Sequence, residues 1–127
     1  MQDGLQITKS VEGKVTILRL AGALDAAGEE RVLAFARDAY DAGARFLLFD
    51  LADVSILTSA GMRALHKVFK MFTPREDMYK VSHVKMCRAP QALYQALGVT
   101  GFLQNIPLMN LYRRRWILFR NNADLHA

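Results

Sequence analysis

The sequence predicts a small α/β domain with a mixed, mostly parallel sheet, and three observations lead there. Two strand-like segments near the start are separated by the turn signal Glu12-Gly13, which makes them a hairpin. Phe46-Leu47-Leu48-Phe49 is apolar without alternation, as a central strand covered on both faces requires. After the hairpin, apolar segments alternate with amphipathic ones, a pattern that calls for parallel strands joined by right-handed crossover helices.

The hairpin strands are expected at 5–9 and 14–20. Asp25 then precedes a helical pattern over Ala26–Asp41 in which Val32, Leu33, Ala36, Ala39 and Tyr40 share one side, while Glu29, Glu30, Arg37 and Asp38 fall outside it. Asp25 suits an N-cap and Gly43 a stop. The central strand is expected over 46–51. A second helix follows over 60–72, where Met62, Leu65, Phe69 and Phe72 recur at helical spacing until Pro74 ends the pattern. Its other side carries Arg63, Lys67 and Lys70, which reads chiefly as a solvated face. Residues 84–87 read as a strand, 90–97 as a short helix opened by Pro90 with Gly98 near its end, and 106–111 as a strand that Pro107 assigns to a sheet edge.

A chain of 127 residues with 52% hydrophobic content suits one compact domain with a real core. That domain is expected over residues 1–112. Residues 113–127 form a basic and aromatic extension, with three arginines ahead of Trp116-Ile117-Leu118-Phe119, expected to pack on the same domain as a strand, a short helix or a docking segment. The start Met1-Gln2-Asp3-Gly4 lacks a basic region followed by an apolar core, and no apolar run nears the ~18 residues of a membrane span, so a soluble, cytoplasmic protein without an integral membrane segment is expected. The single cysteine, Cys87, has no partner for an internal disulfide and no Cys or His at ligand spacing, and reads as a small core residue. No metal or other cofactor is expected.

The net charge of +5 is unevenly spread: nine acidic residues against six Lys or Arg through Met62, three against eleven from Arg63 onward. Such polarity steers association with an acidic partner, an anionic lipid surface or nucleic acid without choosing among them. The basic residues are not interleaved with an aromatic platform or a groove-reading motif, so nucleic acid is not an expected partner.

The stretch from Asp50 to Met62 carries the functional signal. An apolar run stops at the hydroxyls of Thr58 and Ser59, and an amphipathic segment begins, which puts hydroxyls at a helix N-terminus. Free backbone N–H groups and the positive end of the helix dipole favour negative charge there, so a phosphate on either hydroxyl would be tolerated. The bland reading is that both are ordinary capping residues, worth about 1 kcal/mol. Asp50 and Asp53 flank the expected strand end, where acids are commonly solvated or hydrogen-bonded in a turn, and a third ligand at fixed spacing is missing. Leu57-Thr58-Ser59-Ala60-Gly61 resembles a nucleophile elbow only in part, because Leu57 occupies the place of the first glycine. His66, His83 and His126 are the available bases. None has a spacing that predicts contact with Ser59, and His66 lies two helical turns beyond it, so no enzyme is expected.

Three segments together resemble a known family: Leu20-Ala21-Gly22-Ala23-Leu24-Asp25, Phe49-Asp50-Leu51-Ala52-Asp53-Val54 and Thr58-Ser59-Ala60-Gly61-Met62 look like successive signatures of the STAS domain. That domain is shared by bacterial anti-sigma factor antagonists and the cytoplasmic tails of sulfate transporters. Leu97-Gly98-Val99-Thr100-Gly101-Phe102 is similar to the family's late helix end, and the resemblance runs to about Leu111. It implies a right-handed strand-and-helix superhelix and a bacterial signalling role through reversible protein binding. In such antagonists an anti-sigma factor with serine kinase activity binds around the Asp25-like loop and the start of the second helix, phosphorylates a hydroxyl there and is thereby released, and a phosphatase restores binding. The resemblance thus implies Ser59 as phosphoacceptor, with Thr58 as the alternative, and Asp25, Thr58, Ser59, Gly61, Met62 and Arg63 as partner contacts. The usual motif is Asp-Ser-Ser-Gly or Asp-Ser-Thr-Gly; here Thr58 replaces the acid and Ala60 the second hydroxyl. Other members of the family act without phosphorylation, as scaffolds of stress-signalling assemblies or accessory subunits of lipid-transport ABC complexes, which makes a transporter ATPase the alternative partner. A homodimer stays open.

Overall fold

The computed structural model describes residues 4–77, 83–99 and 108–109. Among them, five strands lie in the order β1 (Gln6–Glu12), β2 (Val15–Leu24), β3 (Phe46–Leu57), β4 (Val84–Cys87) and β5 (Leu108–Met109). β1 and β2 are antiparallel, and every other pair is parallel. Helices α1 (Ala26–Asp41), α2 (Ser59–Phe72) and α3 (Gln91–Val99) fall between successive parallel strands, and a 3-10 turn at Arg75–Asp77 follows α2. The mixed sheet and the strand and helix alternation expected from the sequence are both present, and β5 lies at the sheet edge that Pro107 indicated. Residues 113–127 and most of the expected 106–111 strand lie outside the described residues.

The core explains the order. Val32, Ala36 and Ala39 of α1, Ala64, Leu65, Val68, Phe69 and Phe72 of α2, and Leu93 and Leu97 of α3 join one buried cluster with Leu18, Leu20, Leu47, Phe49, Leu51, Val84 and Met86 of the strands. These three helices therefore cover the same sheet face, as right-handed crossovers along a steadily advancing strand order dictate. The opposite face holds a smaller buried cluster of Val15, Ile17, Leu48 and Cys87, which places Cys87 in the core as expected. β3 is central and buried on both faces over Leu47 to Leu51.

Local signals fix the element ends. α1 starts where the Asp25 carboxylate accepts a hydrogen bond from the Gly28 N–H at 3.2 Å. It ends where the Ala44 N–H reaches the Ala39 carbonyl at 2.9 Å and the Gly43 N–H the Tyr40 carbonyl at 3.0 Å. That paired closure needs a left-handed residue, and Gly43 supplies it at φ 109°.

Two expectations require correction. The central strand continues to Leu57 rather than ending at Leu51, because β3 contains two bulges against β2. Arg19 pairs with Asp50 and Ala21 with Asp53; Gly22 pairs with Val54 and Ala23 with Ile56. Each step places an extra residue in β3, which disrupts the alternation that a sequence pattern detects. Asp50 is also no solvated turn residue. It is fully buried inside β3, accepts from the Ala52 N–H at 3.1 Å, and takes a two-pronged ion pair from Arg88, with Nε to Oδ1 at 3.1 Å and Nη2 to Oδ2 at 2.7 Å. Arg88 follows β4 in a left-handed conformation, φ 59°. Asp53 does remain exposed, paired with Arg19 at 3.2 Å.

Candidate partner-binding site

The ends of β2 and β3 are paired in register, Leu24 opposite Leu57, so the residues that follow them start α1 and α2 side by side. The Thr58 N–H donates to the Leu24 carbonyl at 3.1 Å and ties the two corners together. Thr58 is the N-cap of α2: its hydroxyl oxygen accepts from the Gly61 N–H at 3.2 Å, and its carbonyl accepts the first helical bond from Met62 at 2.9 Å. Ser59 is then the first residue of the helix, one position earlier than the sequence pattern indicated, and it is exposed.

Gly61 is buried against the neighbouring corner. A Cβ built there would lie 2.1 Å from the Leu24 carbonyl oxygen and 2.8 Å from its carbon, so only glycine lets α2 approach β2 this closely. Met62 is half-buried and packs on the main core. Arg63 is exposed, and its guanidinium lies 3.3 Å from Glu29 of α1. Lys67 holds the other Glu29 oxygen at 2.7 Å. The hydrogen bonds from Lys67 and then Arg63 hold the Glu29 carboxyl below the usual range. Glu29 and Lys67 thus belong to this surface, although helical periodicity had set both on outward faces. The contact that unites them lies between two helices, 38 residues apart in the chain. Ile56, an exposed apolar side chain near the end of β3, is a further surface residue that the sequence reading passed over.

The structure therefore brings Asp25, Thr58, Ser59, Gly61, Met62 and Arg63 to one end of the sheet. Four of the six serve architecture directly, Asp25 and Thr58 as caps, Gly61 as the point of closest approach and Met62 against the core. Ser59 and Arg63 are the outward-facing members. Asp25 has one carboxylate oxygen engaged with α1 and is half-buried.

General-base chemistry at Ser59 finds no arranged partner among the described residues. His83 does pair with a carboxylate, Nε2 lying 3.1 Å from Asp77, but it precedes β4 and its carbonyl accepts from Leu47 near the start of β3, the far end of that strand from Ser59. Burial, then the charge of Lys70, push the His66 imidazole down, and its ring stacks on Phe69. No three Cys, His, Asp or Glu side chains gather as a metal site among the described residues. No described helix is long and apolar enough to cross a membrane.

Comparison with solved structures finds similar folds. An anti-sigma factor antagonist from Mycobacterium paratuberculosis aligns with a TM-score of 0.73 at 18% identity, covering 94% of this chain and 97% of that one. The Bacillus cell fate determinant SpoIIAA in its phosphorylated form aligns at 0.62 and 16% identity, covering 90% and 96%. A sulfate transporter family protein from Wolinella succinogenes aligns at 0.68 and 15% identity, covering 91% and 93%. A search of curated proteins finds no match. The family model described as the STAS domain matches residues 6–114, nearly the whole of the described fold with its paired helix corners, and the chain belongs to that family.

Proposed function

We propose that this protein is an anti-sigma factor antagonist: it binds an anti-sigma factor through the corner formed by Asp25, Thr58, Ser59, Gly61, Met62 and Arg63, and phosphorylation of Ser59 ends that binding. The observation that carries the reading is the exposed Ser59 hydroxyl at the first position of α2, next to Thr58, whose N–H ties it to the Leu24 carbonyl beside the α1 corner. Ser59 suits the acceptor role better than Thr58, whose hydroxyl oxygen is occupied in capping Gly61. In the transfer, Ser59 Oγ takes the terminal phosphoryl group of ATP bound to the anti-sigma factor kinase, ADP leaves, and the hydroxyl proton passes to the kinase. The dianion is compatible with the free N–H groups of the helix start, so the fold persists. A partner packed on the same turn must accommodate its bulk and desolvate its charge, which costs binding without any large rearrangement. A phosphatase returns the protein to its binding state. The protein acts in the cytoplasm and is not itself an enzyme.

The test is capture of the protein from its native cells, with its partners identified and residues 58 and 59 analysed by mass spectrometry. An anti-sigma factor in the capture, together with phosphate on Ser59 after incubation with that kinase and loss of the partner, supports the reading. Ser59→Ala should keep the partner and resist modification. Phosphate on Thr58 moves the site, and a transporter ATPase in place of the anti-sigma factor replaces the switch with constitutive docking.

A further inference from the structure

We propose that Arg63 is the intramolecular receiver of a phosphate on Ser59, exchanging Glu29 for it, so that modification loosens the link between α1 and α2 at the docking corner. The inference rests on Ser59 as the modified residue and adds the residue that reads the modification within this domain.

Ser59 and Arg63 stand four residues apart on one helix, so their side chains occupy neighbouring surface positions, with the acceptor of negative charge N-terminal to the cation, the favourable orientation for such a pair. Arg63 is available to move. Its contact with Glu29 is the longer of the two that Glu29 makes, 3.3 Å against 2.7 Å from Lys67, and its side chain is 58% exposed. Glu29 is only 14% exposed and needs a cation, which Lys67 continues to supply after Arg63 leaves. Lys67 cannot compete for the phosphate, since it lies eight residues beyond Ser59, about 12 Å along the helix axis. A phosphate brings nearly two charges and three acceptor oxygens where Glu29 offers one oxygen to Arg63, and the planar guanidinium fork matches it. The other charged groups of the two helices near this end are Asp25 before α1 and Glu30 and Arg31 within it, and the Arg31 guanidinium is engaged with the Leu5 carbonyl; Lys70 lies farther along α2 than Lys67, and burial pushes the His66 imidazole down. Arg63 is thus the cation within direct reach of position 59 along α2.

The experiment uses the full chain with phosphoserine placed at position 59 during translation, and follows the second ionisation of the phosphate by phosphorus NMR. Contact with Arg63 favours the dianion, so the transition in the otherwise unchanged protein should lie about 0.3–0.6 pH unit below that of Arg63→Gln. Arg63→Lys keeps the charge without the fork and should recover part of the difference. Glu29→Gln removes the competing carboxylate and should lower the transition further, by more with Arg63 present than in combination with Arg63→Gln. Circular dichroism establishes that each variant is folded. Equal transitions with and without Arg63→Gln, no recovery with lysine, or the same Glu29→Gln shift in both backgrounds would overturn the exchange. Because no kinase is needed, failure of a native kinase to modify Ser59 would defeat the switch and leave this contact standing, whereas equal transitions would remove the contact and leave the switch.

Discussion

Replacing Gly61 by alanine tests how tightly the two helix corners are joined. In an open helix that change stabilises by about 1 kcal/mol, since alanine loses less backbone freedom on folding. Here the new methyl group would sit 2.1 Å from the Leu24 carbonyl oxygen, more than an ångström inside ordinary contact, and the obstacle is backbone, which cannot rotate away. The start of α2 and the end of β2 must separate by roughly that amount. The 3.1 Å bond from the Thr58 N–H to the same carbonyl then fails, at a cost of about 1 kcal/mol, and displacement of packed neighbours adds about 1–3 kcal/mol. After the helix gain is subtracted, Gly61→Ala should destabilise by about 1–3 kcal/mol. Gly98→Ala provides the internal comparison. It makes the same chemical change within α3, where nothing lies within 4 Å of the added carbon, and should be neutral or stabilising. Urea unfolding of both variants, with hydrogen exchange at the Thr58 amide, measures the contrast. If Gly61→Ala matched the parent in midpoint and kept its Thr58 protection, the close approach would not be limiting and the reasoning would fail.

Leu48→Ala should cost about 2–5 kcal/mol by urea unfolding, because the side chain is fully buried on the central strand. Arg88→Ala should cost about 3 kcal/mol or more in the same assay, since it takes the guanidinium fork from a carboxylate with no exposed surface. Burial pushes the Lys85 ammonium down from 10.5 to about 8. Between those values the unfolded chain binds the extra proton, so stability should rise as pH is raised through that window, and Lys85→Met should flatten the slope.

The hairpin, α1 and α2 were readable because each combines a hydrophobic period with a chemical end signal: a glycine turn, an aspartate cap, a proline stop. The meeting of the Asp25 and Ser59 corners was also readable, since it follows from parallel strands whose C-terminal ends lie together. The full length of β3 was not, because its bulges interrupt the alternation that identifies a strand. The burial of Asp50 was equally hidden. Its partner Arg88 reaches it only through the register that sets Asp50 beside Cys87, a relation that no local pattern carries. The bridge from Glu29 to Arg63 and Lys67 is of the same kind, the product of two helices packing together.

The two bulges of β3 each absorb one extra residue and leave the pairing with β2 beyond them intact. From Arg19 to Leu24 β2 takes five steps while β3 takes seven from Asp50 to Leu57, and the first bulge turns Val54 toward the helices before the second restores the original phase for Leu57. The length of chain between the core and the docking corner is therefore adjustable one residue at a time, but only at the bulges. Loss of either extra residue would straighten its bulge and leave Leu57 opposite Leu24, whereas loss of a residue from the regular stretch Phe46 to Asp50 would exchange inward and outward side chains there. Strand phase thus confines tolerated changes in length to the steps between Asp50 and Asp53 and between Val54 and Ile56.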